Sequence, residues 1–187
     1  MRPNKRDELV RKALKVFYRY GFHATGMDKL VVETGVSKTS MYKHFRTKED
    51  LILAVLKLRD EEFCENLFRR VNELADTPAG QLLASFDALN EWFHEKEYRG
   101  CMFIKAGAEF QDVAHPIHKQ SAEHKKIILN YLTDLARKTG ARDPDDLACQ
   151  IFLLQEGAIV TAVFLKSYEP AQHAKAAAEV LLNAALA

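Results

Sequence analysis

In the run Ser37-Lys38-Thr39-Ser40-Met41-Tyr42-Lys43-His44, seven of eight side chains carry a hydrogen-bonding group. A lysine ammonium donates to guanine O6 and N7, and a serine or threonine hydroxyl serves either kind of base edge or meets a thymine methyl. Lys38, Thr39, Ser40 and Lys43 are therefore candidates for base contacts. Thr25, Ser37, Tyr42, His44 and Lys48 suit phosphate oxygens, which fix register without reading sequence. Thr47 and Lys48 put a helix N-terminus and a cation at one point, a natural phosphate seat. Charge is distributed to match. Residues 1–50 hold twelve Lys/Arg against six Asp/Glu, whereas the remainder holds fifteen against twenty. A basic segment joined to an acidic one suits a nucleic-acid-reading head on a body that does not touch nucleic acid.

Side chains reach base edges from an element presented to a groove, most often a helix, and the surrounding residues supply one. Thr25 reads as an N-cap answered by Asp28, opening a short helix with Leu30, Val31 and Val32 as its apolar content. Gly35 sits where that helix must end in a left-handed residue, and Val36 packs the turn. Ser37 is the next N-cap, opening Lys38 to His44. This is a helix-turn-helix arrangement, whose second helix enters the major groove. Met41 and Phe45, with Val32, Val36 and Leu51, read as the core of the head.

Helical spacing continues almost throughout, and nothing reads as strand. The first helix runs from about Lys5 to Tyr20 on the stripe Leu9, Ala13, Val16, Phe17 and Tyr20, and Gly21 ends it. A fourth starts at Thr47, favoured by Glu49 and Asp50 at its positive end, and continues to Leu74. Its apolar face changes from Leu51, Val55 and Leu58 to Leu56, Phe63, Leu67 and Leu74, as expected of a link between head and body. Further helices start at Thr77-Pro78, span Cys101 to Phe110, start at His115-Pro116 (stopped by Gly140), span Asp145 to about Ser167, and start at Pro170. The expected fold is all-α with about nine helices. Residues 1–50 form a three-helix DNA-binding domain and residues 51–187 a helical effector-binding and dimerisation domain.

The last two helices carry more apolar surface than one partner can cover. Leu147, Ile151, Leu154, Ala158 and Leu165 form one stripe, and Phe152, Ile159 and Val163 another. The final helix has small residues at Ala174, Ala177, Ala178, Ala184 and Ala185, beside Leu181. Pairing both helices with their symmetry mates makes a four-helix homodimer interface.

These features together resemble the TetR family of bacterial transcriptional regulators. The resemblance rests on Tyr20-Gly21-Phe22, Thr25, Gly35-Val36-Ser37, Met41-Tyr42-Lys43-His44-Phe45 and Lys48-Glu49-Asp50-Leu51, within residues 5–56. Arg99-Gly100-Cys101-Met102-Phe103 and Ala108-Glu109-Phe110 resemble a subgroup of the family's bodies and suggest no effector. Thr39 departs from the family, where a smaller residue is common, and the operator sequence stays open. The resemblance implies a homodimer whose body binds a small molecule, shifting the spacing of two heads and releasing palindromic operator DNA.

In the body, Phe86, Leu89, Trp92, Phe93 and Met102 are candidates to line an effector pocket. Phe103, Phe110, Tyr131, Phe152 and Gln155 complete that set, apolar with a few polar groups as ligand sites are. Cys101, beside Arg99 at a helix start, offers an alternative redox signal. His115, His118 and His124, with Glu109 and Asp112, offer a metal-sensor alternative, but His-x-x-His without a third fixed ligand is a weak signal.

Several classes are disfavoured. Cys64, Cys101 and Cys149 are odd in number with no C-x-x-C spacing, so neither a disulfide framework nor a structural zinc is expected. No Ser/His/Asp order, phosphate-binding glycine loop or paired-carboxylate signature supports a helical enzyme or carrier, and no cofactor is expected. Met1–Val10 lacks the apolar block of a signal peptide, and no apolar run approaches the ~20 residues that cross a bilayer. The expectation is a soluble cytoplasmic protein without a membrane partner.

Overall fold

A computed structural model describes residues 4–187, Lys166 by its backbone alone; Met1–Pro3, the start of the segment read for a signal peptide, lie outside the described residues. Among the described residues there are nine α-helices, one 3-10 turn and no strand. The helices are α1 (Lys5–Tyr20), α2 (Met27–Thr34), α3 (Lys38–His44), α4 (Lys48–Leu74), α5 (Pro78–His94), α6 (Met102–Glu109), α7 (Pro116–Lys138), α8 (Pro144–Phe164) and α9 (Pro170–Leu186), with the 3-10 turn at Lys166–Tyr168 before α9. They form two compact units. One comprises the residues up to Glu62 together with Met102–His124, the other Phe63–Cys101 with Lys125–Ala187.

In the first unit, Asn4 caps α1 by accepting from Arg6 N at 3.1 Å. Leu9, Val10, Ala13, Val16 and Phe17 are buried on its inner face. Helix α2 is fixed to α1 by the Tyr20 hydroxyl, which donates to Glu33 at 3.1 Å, and by the Lys29 ammonium 3.5 Å from the Tyr20 ring centroid. The start of α4 is a reciprocal cap: Thr47 Oγ1 accepts from Asp50 N at 3.0 Å, and Asp50 Oδ2 accepts from Thr47 N at 2.9 Å. Leu51, Ile52, Val55 and Leu56 follow, all buried. From α7, Gln120 donates to Leu53 O at 3.2 Å and His124 Nδ1 lies 2.6 Å from Asp60 Oδ1.

Three local expectations fail here. Helix α2 is capped by Gly26 with no side-chain bond, because the Thr25 hydroxyl donates instead to Gly21 O at 2.7 Å. Asp28, freed from that cap, pairs with Lys38 at 3.1 Å. Val32 is 81% exposed and not core, since Leu30 and Thr34 already fill the inner face of an eight-residue helix.

In the second unit, α8 packs on α5 and α9, and α9 also packs on α5. Gln155 donates to Ser85 Oγ at 2.6 Å in the buried α8–α5 contact, and Lys175 pairs with Asp87 at 2.6 Å to tie α9 to α5. Tyr98 donates to Ile159 O at 2.8 Å. Helix α8 corrects a further expectation: its 21 residues are long and apolar enough, by length and composition, to cross a bilayer. That apolarity has another outlet. Leu147, Ala148, Ile151, Ala158, Ile159 and Ala162 are buried.

Both stripes read on α8 from the sequence are thus partly buried within the chain, and a third face stays open. Leu153 is 68% exposed and Phe164 78%, with Val160 between them on the same side. On α9, Ala174, Ala178 and Leu182 are buried, while Ala177, Val180 and Ala184 are exposed.

Candidate nucleic-acid interface

Helix α3 has only seven residues, so its inner face must be anchored by few side chains. Met41 and Phe45, one turn apart, are both buried and supply that anchor. At about 100° per residue, Lys43 stands opposite them, flanked by Thr39 and Ser40. Tyr42 lies to one side of this outward face, and Ser37 and His44 to the other. All are exposed except Ser40, which is half-buried. The outward face therefore carries an ammonium and two hydroxyls, a set able to read base edges.

Both ends of α3 are prepared locally. Gly35 has φ +68°, the left-handed conformation that ends α2, and its N–H reaches Val31 O at 3.0 Å. Thr34 Oγ1 donates to Leu30 O at 2.7 Å and accepts from Val36 N at 3.2 Å. Ser37 Oγ accepts from Ser40 N at 3.3 Å as the N-cap of α3. At the far end, the Arg6 guanidinium lies 4.9 Å from the Phe45 ring centroid.

Besides Ser37, whose Oγ caps α3, three of the nine residues expected at DNA are engaged within the chain. Thr25 is fully buried with its hydroxyl on Gly21 O, so it braces the turn and has no free donor for a phosphate. Lys38 leans to Asp28, whose hydrogen bond and charge raise its pKa, which places its ammonium beside α2 and off the centre of the outward face. Lys48 is half-buried and donates to Phe22 O at 3.0 Å and Thr25 O at 3.3 Å. Sequence reading passed over Arg46, exposed in the same turn as Thr47, and Arg6, whose closeness to α3 is a tertiary fact. It placed Glu109 among the metal-sensor candidates, whereas this carboxylate accepts backbone N–H bonds from Phe22 and His23.

The ten residues expected around an effector divide between the two units. Met102, Phe103 and Phe110 belong to the unit that contains α3; the other seven belong to the second unit. Phe110 packs on Phe22 at 6.2 Å and His115 at 4.9 Å, and Phe103 stacks on His124 at 3.7 Å. Phe86, Leu89 and Phe93 are buried core, and the Gln155 amide is engaged by Ser85. Trp92 sits among Phe63, Phe93 and Tyr98 at 5.0–5.9 Å. Tyr131 stacks on Phe68 at 4.0 Å, and Phe152 is half-buried.

Two groups in this second unit stand out. The Tyr131 hydroxyl and Asn90 Oδ1 are buried atoms without a hydrogen-bond partner. Burial also pushes the Tyr131 phenol above its ordinary pKa. The histidines raised for a metal each turn to a different neighbour: His115 Nδ1 accepts from Ile117 N at 3.2 Å, and His118 Nδ1 lies 2.8 Å from Phe110 O. Cys101 is buried, with Lys125 Nζ 3.5 Å from its sulfur.

Comparison with known proteins agrees with this geometry. Residues 9–55 match the family described as bacterial regulatory proteins, tetR family, and residues 78–178 match the tetracyclin repressor-like C-terminal domain. The HTH-type transcriptional regulator YjdC of Escherichia coli is 25% identical over 181 residues, covering 96% of this chain and 94% of its own. The HTH-type transcriptional repressor NemR of the same organism is 24% identical over 183 residues, covering 91% and 90%. Among solved structures, the TetR-family transcriptional regulator SCO4454 of Streptomyces coelicolor superposes with a TM-score of 0.89 at 25% identity, covering 97% of this chain and 96% of its own. With both family regions in order along one chain, and α3 presenting an outward polar face on a buried apolar anchor, this protein belongs to the TetR family of bacterial transcriptional regulators.

Proposed function

We propose that this regulator is a homodimeric repressor that holds a palindromic operator until a small molecule binds its C-terminal region. Residues 1–50 carry the DNA contacts and residues 51–187 the effector and dimer surfaces. The observation that carries the reading is α3 itself, with Lys43, Thr39 and Ser40 opposite the buried Met41 and Phe45. These three read bases. Tyr42, Ser37, His44 and Arg46 hold phosphates on either side, and Lys48 acts by shaping the turn before α2.

The exposed apolar face of Leu153, Val160 and Phe164 on α8, with Val180 on α9, supports pairing of two chains through the last two helices. The Tyr131 hydroxyl and Asn90 Oδ1 support an effector site in the second unit, because a buried polar atom without a partner is costly and a ligand can satisfy it. The dimer acts on DNA in the cytoplasm.

Selection of duplexes from a randomised pool by the purified chain tests the reading, and a palindrome is the expected product. Tyr42→Ala weakens binding equally for all sequences. Lys43→Ala relaxes preference at one or two base pairs, by about 1–3 kcal/mol. A pool that yields no preferred duplex, or equal losses on every sequence from both variants, contradicts the assignment.

A further inference from the structure

Tyr20-Gly21-Phe22 and Ala108-Glu109-Phe110 lie almost ninety residues apart, and base and phosphate contacts explain neither. They meet inside the unit that contains α3. The Glu109 carboxylate accepts from Phe22 N with both oxygens, at 3.0 and 3.1 Å, and from His23 N at 2.5 Å. The His23 ring nitrogen Nδ1 stands 3.6 Å from the same carboxylate. Gly21 has φ +82°, and a Cβ there would lie 3.0 Å from Glu109 Oε1, so conformation and close approach both call for glycine. The next residue, Phe110, meets the Phe22 ring edge-on at 6.2 Å and the His23 ring at 4.6 Å. Two consecutive residues at the end of α6 thus grip two consecutive residues on the way into α2.

Lys48 completes the arrangement by taking the carbonyls of Phe22 and Thr25. The Phe22 and His23 amides go to an anion from α6, and the Phe22 and Thr25 carbonyls to a cation from α4. Such charge-assisted bonds are the stronger kind. Helix α2 has no side-chain cap of its own. The direction in which the chain leaves α1, and with it the pitch of α2 and α3, is therefore set in part from outside the helix-turn-helix, beside the Tyr20–Glu33 bond between α1 and α2.

We propose that Glu109 is a positioning residue for operator recognition: its carboxylate sets the pitch of the recognition helix and thereby the half-site spacing that the dimer accepts. The proposal rests on the reading of the chain as a dimeric operator-binding regulator. A carboxylate suits this role and an amide does not. Glutamine offers one acceptor oxygen and turns an NH2 group towards backbone donors, whereas aspartate keeps both oxygens but withdraws them by one methylene.

The test uses the full chain and duplexes enriched by the wild-type protein, rebuilt as palindromes whose half-site spacing changes one base pair at a time. Affinities of wild type, Glu109→Gln and Glu109→Asp are measured beside thermal melting and amide exchange over residues 20–26. At the preferred spacing Glu109→Gln loses roughly tenfold in affinity. Its preference among spacings flattens, its salt dependence is unchanged because the phosphate-facing cations remain, and the amides of Phe22 and His23 exchange faster. Glu109→Asp falls between the two.

A folded Glu109→Gln chain that keeps the wild-type spacing preference overturns the proposal alone. If that variant does not fold, Glu109→Asp decides: faster exchange at Phe22 and His23 with an unaltered spacing preference overturns it equally. A wild-type chain that enriches no duplex overturns the operator reading and this proposal with it.

Discussion

The two turns of the helix-turn-helix are built differently. The turn between α2 and α3 looks after itself: Gly35, Thr34 and Ser37 satisfy its backbone with partners no more than four residues away. The turn between α1 and α2 shares that economy only in part, through the Thr25 hydroxyl on Gly21 O. The Gly21 and Thr25 amides also find local carbonyls, but the Phe22 and His23 amides depend on Glu109, 87 residues from Phe22, and the Thr25 carbonyl on Lys48. The first kind of turn makes α2 and α3 one rigid body. The second attaches that body to the chain through two charged side chains whose positions belong to other helices, beside the contacts of Tyr20 with Glu33 and Lys29. A regulator that answers a ligand gains from this division, because its reading surface stays stiff while its placement is set elsewhere.

Substitutions in each turn can break or sharpen the contrast. The largest effect is expected at Lys48→Met, which keeps the stem but removes two charge-assisted bonds and leaves Thr25 O unpaired, for about 1.5–3 kcal/mol of stability in urea unfolding. Binding then falls evenly across duplex sequences; a variant as stable as wild type would mean the remote clamp holds nothing. Gly35→Ala follows. A Cβ there meets no atom within 4 Å, so only the left-handed backbone resists it, at about 1–2 kcal/mol. Gly35→Asn, which tolerates that conformation, recovers most of the loss, and equal losses for both would point to packing instead.

Thr34→Val is the smaller lesion in the same turn, about 1 kcal/mol for a hydroxyl that both donates and accepts. Its amide-exchange signature stays confined to residues 30–37. Spread of faster exchange to Phe22 and His23 would show that the two turns are not independent.

Tyr131→Phe serves as a control outside the head. Burial raises the phenol pKa above 10.0, so the folded chain keeps this proton longer than the unfolded one. Stability accordingly falls as pH rises past that value. The substitution removes this alkaline fall, leaves neutral-pH stability unchanged or slightly raised, and leaves duplex binding intact; melting curves from pH 8 to 11 check it.

Several features were legible in the residues alone because their physics is local. The left-handed glycine after α2, the Ser37 cap, the proline starts of α5, α7, α8 and α9, and the burial of Met41 and Phe45 each depend on a few neighbouring residues and the helical period. Those same short-range rules gave the all-helical fold and the helix-turn-helix. They failed where two local solutions compete, as at Thr25, whose hydroxyl serves Gly21 O in place of capping α2.

Tertiary structure alone decided the rest. Glu109 on Phe22, Arg6 on Phe45, the engagement of Lys48, and the open apolar face of α8 all depend on which helices become neighbours. A charged side chain carries no mark in sequence of the distant backbone it will satisfy, and a helix apolar all round does not say which side its own chain will cover.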